Sequence, residues 1–297
     1  GIQTAIEHFE RALAKDPAYA LAYAGLADCY VWISFFASTV PSRESFPKVL
    51  AAASKALQLD DTLAEAHIAL GLYKSVYEWD WAGAEKEVRT ALQLNPAYAP
   101  GHQCYSQFLA AFGRFDEAIA EAKRAQELDP VSLMMSTNLG WAYYFARRYD
   151  QAIEQYRKTL AMDPNFGYAR TLLGQVYIFK FMYREAIREL EVAVELTQGL
   201  PWALSALGVA YAQSGHQVAA RRVLERMLAQ RSGRGYFPPV NIAHVYLGLG
   251  DKDRALEWAQ KAVEERDIRM GVSKTDPIWD PLRSDPRFTE LLRRMNL

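Results

Sequence analysis

The chain is short of most features that announce a specialised chemistry, and each shortage closes off a class of function. Cysteine is down to two residues in 297, Cys29 and Cys104, too few for a disulfide framework and without metal-ligand spacing. Neither sign of charge dominates, since 34 Lys and Arg stand against 35 Asp and Glu for a net charge of −1. A protein that grips a phosphate backbone needs a basic excess on one face, so direct nucleic-acid binding is not expected. No apolar run approaches the roughly 18 residues needed to span a bilayer. The N-terminus also lacks a basic stretch followed by an apolar one. A cytoplasmic location is expected, or a periplasmic one if a membrane span lies upstream.

Motifs for catalysis are missing too. There is no Gly-rich phosphate loop, HExxH, CxxC or GxSxG. Ser45 and Lys48 have the spacing of an SxxK motif by chance, with Pro47 between them and no companion motifs. The five histidines (His8, His67, His102, His216 and His244) are scattered. His102 and Cys104, two apart, point to different sides of a helix, which favours packing over metal binding. No enzyme activity, metal or cofactor is expected.

What is present is a period. Phe112–Ile119, Ala146–Ile153 and Lys180–Ile187 align at a spacing of 34 residues. Asp129-Pro130 and Asp163-Pro164 share that spacing, Asp16-Pro17 and Asn95-Pro96 give the same signal upstream, and Asp60-Asp61 stands in for another. A proline ring displaces the residue before it from the helical region, and Asp or Asn there can start a turn. Between stops, apolar residues recur at helical spacing, as in Ala118, Ile119, Ala122 and Ala125. Each unit reads as helix, turn, helix, stop.

The sequence positions resemble the tetratricopeptide repeat (TPR). The unit from Leu133 has Leu139, Gly140, Tyr143, Ala152, Tyr156 and Pro164 at the family's positions. The unit from Gly167 has Leu173, Gly174, Tyr177, Ala186, Leu190 and Ala193. The unit from Pro201 has Leu207, Gly208, Tyr211, Ala220 and Leu224, and the one from Ala20 has Tyr23, Leu26, Ala27 and Tyr30. Small residues at the eighth, twentieth and twenty-seventh positions would let helices approach closely, with large ones filling the space around them. The resemblance implies an all-α, right-handed superhelical solenoid of stacked antiparallel helix pairs. Seven units are expected over residues 20–269, starting near Ala20, Ala64, Ala99, Leu133, Gly167, Pro201 and Tyr236. Residues 1–19 read as the second helix of a truncated repeat, so the chain is expected to be cut from a longer protein.

Three departures stand out. The unit from Ala20 is about ten residues too long, with the excess within Ser34–Pro47, expected to be a longer turn with Phe35, Phe36 and Phe46 packed on the neighbouring unit, or else a binding loop. One extra residue falls around Tyr77–Trp81, where Asp80 can cap the following helix. Residues 270–297 are expected to form a C-terminal cap, with Asp285 and Pro286 starting a helix whose Phe288, Leu291, Leu292 and Met295 share a stripe. This tail also resembles those of bacterial TPR regions that follow a winged-helix regulator, a serine/threonine kinase or a nucleotide cyclase.

In the family, the first helix of each unit lines the concave groove. By position that implies Gln103 and Gln107 in one unit and Thr137, Trp141 and Tyr144 in the next. Tyr168, Thr171 and Gln175 follow, then Trp202, Ser205 and Gln213. The Lys and Asn spacing that clamps acidic chaperone tails is absent, while large aromatics suit peptide recognition. The expected role is a protein- or peptide-binding scaffold, part of a larger bacterial signalling or regulatory protein. A self-association module forming a homo-oligomer, or a small-molecule sensor, are the alternatives.

Overall fold

The computed structural model describes residues 1–37, 40–233 and 236–297. A first helix, α1 (Ile2–Lys15), precedes a run of helix pairs. These are α2 (Ala20–Trp32) with α3 (Ser42–Leu59) and α4 (Ala64–Leu72) with α5 (Trp81–Leu94). Then come α6 (Ala99–Ala111) with α7 (Phe115–Leu128), and α8 (Leu133–Phe145) with α9 (Tyr149–Met162). The pairs α10 (Gly167–Phe179) with α11 (Tyr183–Leu196) and α12 (Pro201–Gln213) with α13 (Gln217–Ser232) follow. The run ends with α14 (Pro239–Gly248) and α15 (Lys252–Glu264), and a last helix, α16 (Pro286–Arg294), closes the chain. Among the described residues there is no strand.

The two helices of a pair have different chemistry because they meet different surroundings. Second helices bury one stripe, as α11 does with Ala186, Leu190 and Ala193. First helices are buried on nearly every side, and in α12 all of Pro201–Ala210 is buried. Each first helix packs on its own partner, the preceding second helix and the neighbouring first helices.

Local devices repeat with the period. The side chains of Asp16, Asp60, Asn95 and Asp163 each accept from the backbone N–H two residues on, at 2.9–3.1 Å, and so start the turn between pairs. Within pairs, one turn position has positive φ: Gly113, Arg147, Phe181, Gly215 and Gly250. A Cβ on Gly140 would sit 2.5 Å from the Tyr156 ring, and one on Gly174 would sit 2.5 Å from Leu190. Small faces large where two helices of one pair nearly touch.

The histidines are less scattered than their sequence positions suggest. His67 bridges Glu87 (2.7 Å) and the Asp61 carbonyl (3.1 Å), and His102 bridges Glu121 (2.6 Å) and the Pro96 carbonyl (3.0 Å). Arg170 repeats the arrangement with Glu189 and the Pro164 carbonyl. Each is a staple between a turn and the second helix. The thiol of Cys104 is buried, which pushes it up to about 12.

The described part of the first insertion lies partly in a wide helical turn and partly in α3, which starts at Ser42. Helix α2 continues as a π-helix over Ile33–Ala37, and α4 continues likewise over Tyr73–Glu78. Phe46 is fully buried and stacks on Tyr77 at 5.9 Å. The Phe36 side chain, Ser38 and Thr39 lie outside the described residues. Asp80 caps α5 through the Gly83 N–H at 2.9 Å.

Residues 268–297 do more than stand at the end of the stack. Asp285 caps α16 through the Arg287 N–H, and α16 packs on α15. The segment before it forms two 3-10 turns, Ile268–Val272 and Pro277–Leu282, that run along the inner helices. Tyr144 donates to Asp276 at 2.8 Å, and Arg147 holds Asp280 with two bonds of 2.7 and 2.8 Å. Beyond α16, the Met295 carbonyl accepts from Trp81 Nε1 at 2.7 Å, and Asn296 donates to the Trp79 carbonyl at 3.3 Å. Arg266 stacks on the Trp79 ring, 3.6 Å from its centroid. The tail therefore ties the second pair to the seventh. Its Met270, Trp279, Leu282, Phe288 and Met295 belong to the main core, while Ile268 joins the core of the first pair.

Candidate binding groove and cavity

A cavity of about 160 Å³ lies between the inner helices and the tail. Gln107 of α6 and Trp141 and Tyr144 of α8 line it. So do Tyr168, Thr171 and Gln175 of α10 and Trp202 and Ser205 of α12. They face one space because first-helix positions repeat around the inner surface.

The remaining groove positions lie elsewhere. Gln103 lines a separate cavity of about 250 Å³, near Asp28, Trp32 and Tyr98. Thr137 is fully buried, and its hydroxyl donates to the Leu133 carbonyl of its own helix at 2.6 Å. Gln213, the last residue of α12, is exposed and off both cavities.

The lining has an aromatic wall and a polar pole. The Trp141 and Phe145 rings lie 4.0 Å apart, and Tyr168 meets Trp202 edge to face at 5.2 Å. Burial pushes the Tyr168 phenol up to about 12. The pole is made by residues that the repeat pattern did not point to: Asn241 and His244, one turn apart on α14, and Arg269 and Asp276 on the tail. Arg269 donates to Asn241 Oδ1 at 3.3 Å, and Ser205 donates to the Asn241 carbonyl at 2.8 Å. Burial, with the Arg269 charge adding to it, lowers His244 to about 3 and keeps it neutral. Asp276 is raised by burial although Tyr144 and the Ile278 N–H both donate to it.

Comparison with known proteins agrees with the architecture. Residues 137–166, 201–226 and 240–267 each match a model of the tetratricopeptide repeat. The chain is a tetratricopeptide-repeat solenoid. No curated protein matches it in sequence. A human IFIT1 dimer with PPP-AAAA resembles it at a TM-score of 0.60 and 18% identity, covering 89% of this chain and 68% of that one. PilW, a widely conserved type IV pilus biogenesis factor, is similar at 0.56 and 18% over 72% of this chain and 94% of its own. YrrB, a TPR protein with an unusual peptide-binding site, aligns at 0.41 and 22% over 68% and 98% of the two chains. At these identities the likeness to IFIT1 and PilW is one of fold. The TPR repeats indicate a protein-interaction scaffold, and no described helix of this solenoid is long and apolar enough to cross a membrane.

Proposed function

We propose that this TPR solenoid binds a polypeptide segment in its inner groove, as the interaction or sensing region of a larger bacterial signalling or regulatory protein. The observation that carries this reading is the groove's treatment of the chain's own residues 276–280. Tyr144, at the end of α8, and Arg147, in the turn that follows it, bind Asp276 and Asp280 of a 3-10 segment. A partner segment with two carboxylates at that spacing offers the same chemistry, and it would compete with the tail for the same donors. Bidentate Arg–carboxylate pairing gives such a contact direction as well as energy.

The test loosens the tail and leaves the groove intact. In an Asp276→Asn, Asp280→Asn double variant, a fluorescein-labelled peptide of residues 274–297 is expected to bind, measured by anisotropy. The unaltered chain, with its groove filled, should bind it at least about tenfold more weakly, a difference of about 1.4 kcal/mol. Adding Arg147→Glu to the double variant should abolish uptake. Hydrogen exchange reports whether the tail is released. A released tail with no uptake of the peptide would sink this reading.

A further inference from the structure

The cavity of about 250 Å³ among α2, α4 and α6 is lined by acid and, among the described residues, by no Lys, Arg or His. Asp28 of α2 and Glu65 of α4 supply the acid. The Glu65 carboxylate makes no hydrogen bond or ion pair among the described residues, and Asp28 has one partner, the neutral Trp32 side chain. Other half-buried carboxylates of the solenoid are answered by base: Glu87 by Lys74 and His67, Glu85 by Arg89 and Arg114, and Glu189 by Arg170. The Tyr98 phenol and the Gln103 amide line the same cavity and make no side-chain hydrogen bond among the described residues. Asp28 keeps exposed surface, and Glu65, Tyr98 and Gln103 are half-buried, so all four can be reached from the cavity. The walls exclude water from one side of Asp28 and raise it, and burial with the fields of Asp28 and Glu65 raises Tyr98.

We propose that this cavity binds the guanidinium of an arginine side chain carried by a partner polypeptide, with Asp28, Glu65 and Gln103 accepting its hydrogen bonds. The sign of the wall selects a cation. The spread of acceptors selects its shape, because a planar group with five donors reaches several of them at once, whereas an ammonium is compact and holds its water more tightly. Bonds from a guanidinium to carboxylates are charge-assisted and so among the stronger ones. The stem has a place too, since Ile68 and Leu72 line the cavity and an apolar wall accepts methylenes behind a charged head. A cavity of about 150 Å³ takes up one benzene, so about 250 Å³ leaves room for the stem as well as the planar head.

Cys104 and Gln107 line both this cavity and the one beneath the tail, so the site is the N-terminal end of the same inner groove. That continuity favours a polypeptide over a free small cation, and the proposal rests on the reading of the inner face as a polypeptide-binding surface. It does not require the tail to move. Asp28, Glu65 and Gln103 make no hydrogen bond or ion pair with residues 268–297 among the described residues.

The probe is a blocked pentapeptide with arginine between pairs of glycines. Citrulline in its place is the uncharged isostere, and lysine is the compact cation. Titration calorimetry on the full chain is expected to show saturable binding of the arginine peptide. The citrulline peptide should bind at least about tenfold more weakly, with the lysine peptide between the two. An Asp28→Asn, Glu65→Gln double variant should lose at least about tenfold for the arginine peptide and nothing for the citrulline one. Glu7→Gln with Glu10→Gln removes the same charge from the exposed face of α1, away from the cavity, and should leave affinity unchanged. An equal loss in both double variants would assign the binding to overall charge and overturn the proposal. So would equal binding of the arginine peptide and either of its replacements, or no saturable binding of it up to about 10 mM. Uptake of the 274–297 peptide is read at Arg147, so the two readings fail separately.

Discussion

Arg147 occupies a turn position where Gly113, Gly215 and Gly250 stand in other pairs, and it takes the same left-handed backbone with φ of 57°. A residue with a Cβ pays roughly 1–2 kcal/mol there. The return is the two-bonded contact with Asp280, which glycine could not make. His244 makes a different trade. It is buried neutral, with a folded-state value of about 3, well below the 6.5 of a free imidazole. Its contribution to stability is present above pH 6.5 and is lost as pH falls from there toward 3. The slope approaches about 1.4 kcal/mol per pH unit. Asp267 and Asp276, both raised by burial, act in the opposite sense in acid, so the difference between two chains isolates the histidine. His244→Gln is expected to lose less stability than the unaltered chain between pH 6.5 and 4.5, followed by urea unfolding. Parallel pH profiles would show that the imidazole is not buried neutral.

At the scale of helices, the sequence pattern reads clearly wherever a contact is set by position in the repeat. Gly140 and Tyr156 show why. The glycine at the eighth position leaves room for the ring at the twenty-fourth, and both belong to one helix pair. Gly140→Ala forces a Cβ to 2.5 Å from a fully buried ring with nowhere to move. It is expected to cost about 1–3 kcal/mol, seen as a lower Tm with unchanged helicity. A neutral or stabilising result would mean the pair can open at no cost. The inner positions of α8, α10 and α12 are reached through the resemblance to the repeat family, which implies Trp141, Tyr168 and Trp202, and these three line the cavity. Asn241, His244, Arg269 and Asp276 are not reached that way. The pair from α14 departs from the pattern at Pro238 and Pro239, and the tail has no period at all. Its residues meet the groove across separations that reach 132 positions between Tyr144 and Asp276, and no local signal encodes such contacts. Thr137 shows the reverse failure, since its hydroxyl is satisfied by its own helix and turns away from the cavity.

At the scale of the molecule, an open solenoid gains stability unit by unit and can unravel from either end. Here the tail adds contacts that skip the intervening pairs, joining Trp79 and Trp81 to Asn296 and Met295. Urea unfolding is therefore expected to be one transition, with circular dichroism and tryptophan fluorescence coinciding. The Asp276→Asn, Asp280→Asn variant should separate the two probes. Separate transitions in the unaltered chain would show that the tail does not couple the pairs. The bond between Trp81 and Met295 also has a consequence in time. Its partners are 214 residues apart, and a ribosome adding about 5–20 residues per second needs roughly 10–40 s to make that stretch. Through that interval the early repeats emerge with their inner rings bare. Another molecule could reach that face before the chain's own tail has been synthesised.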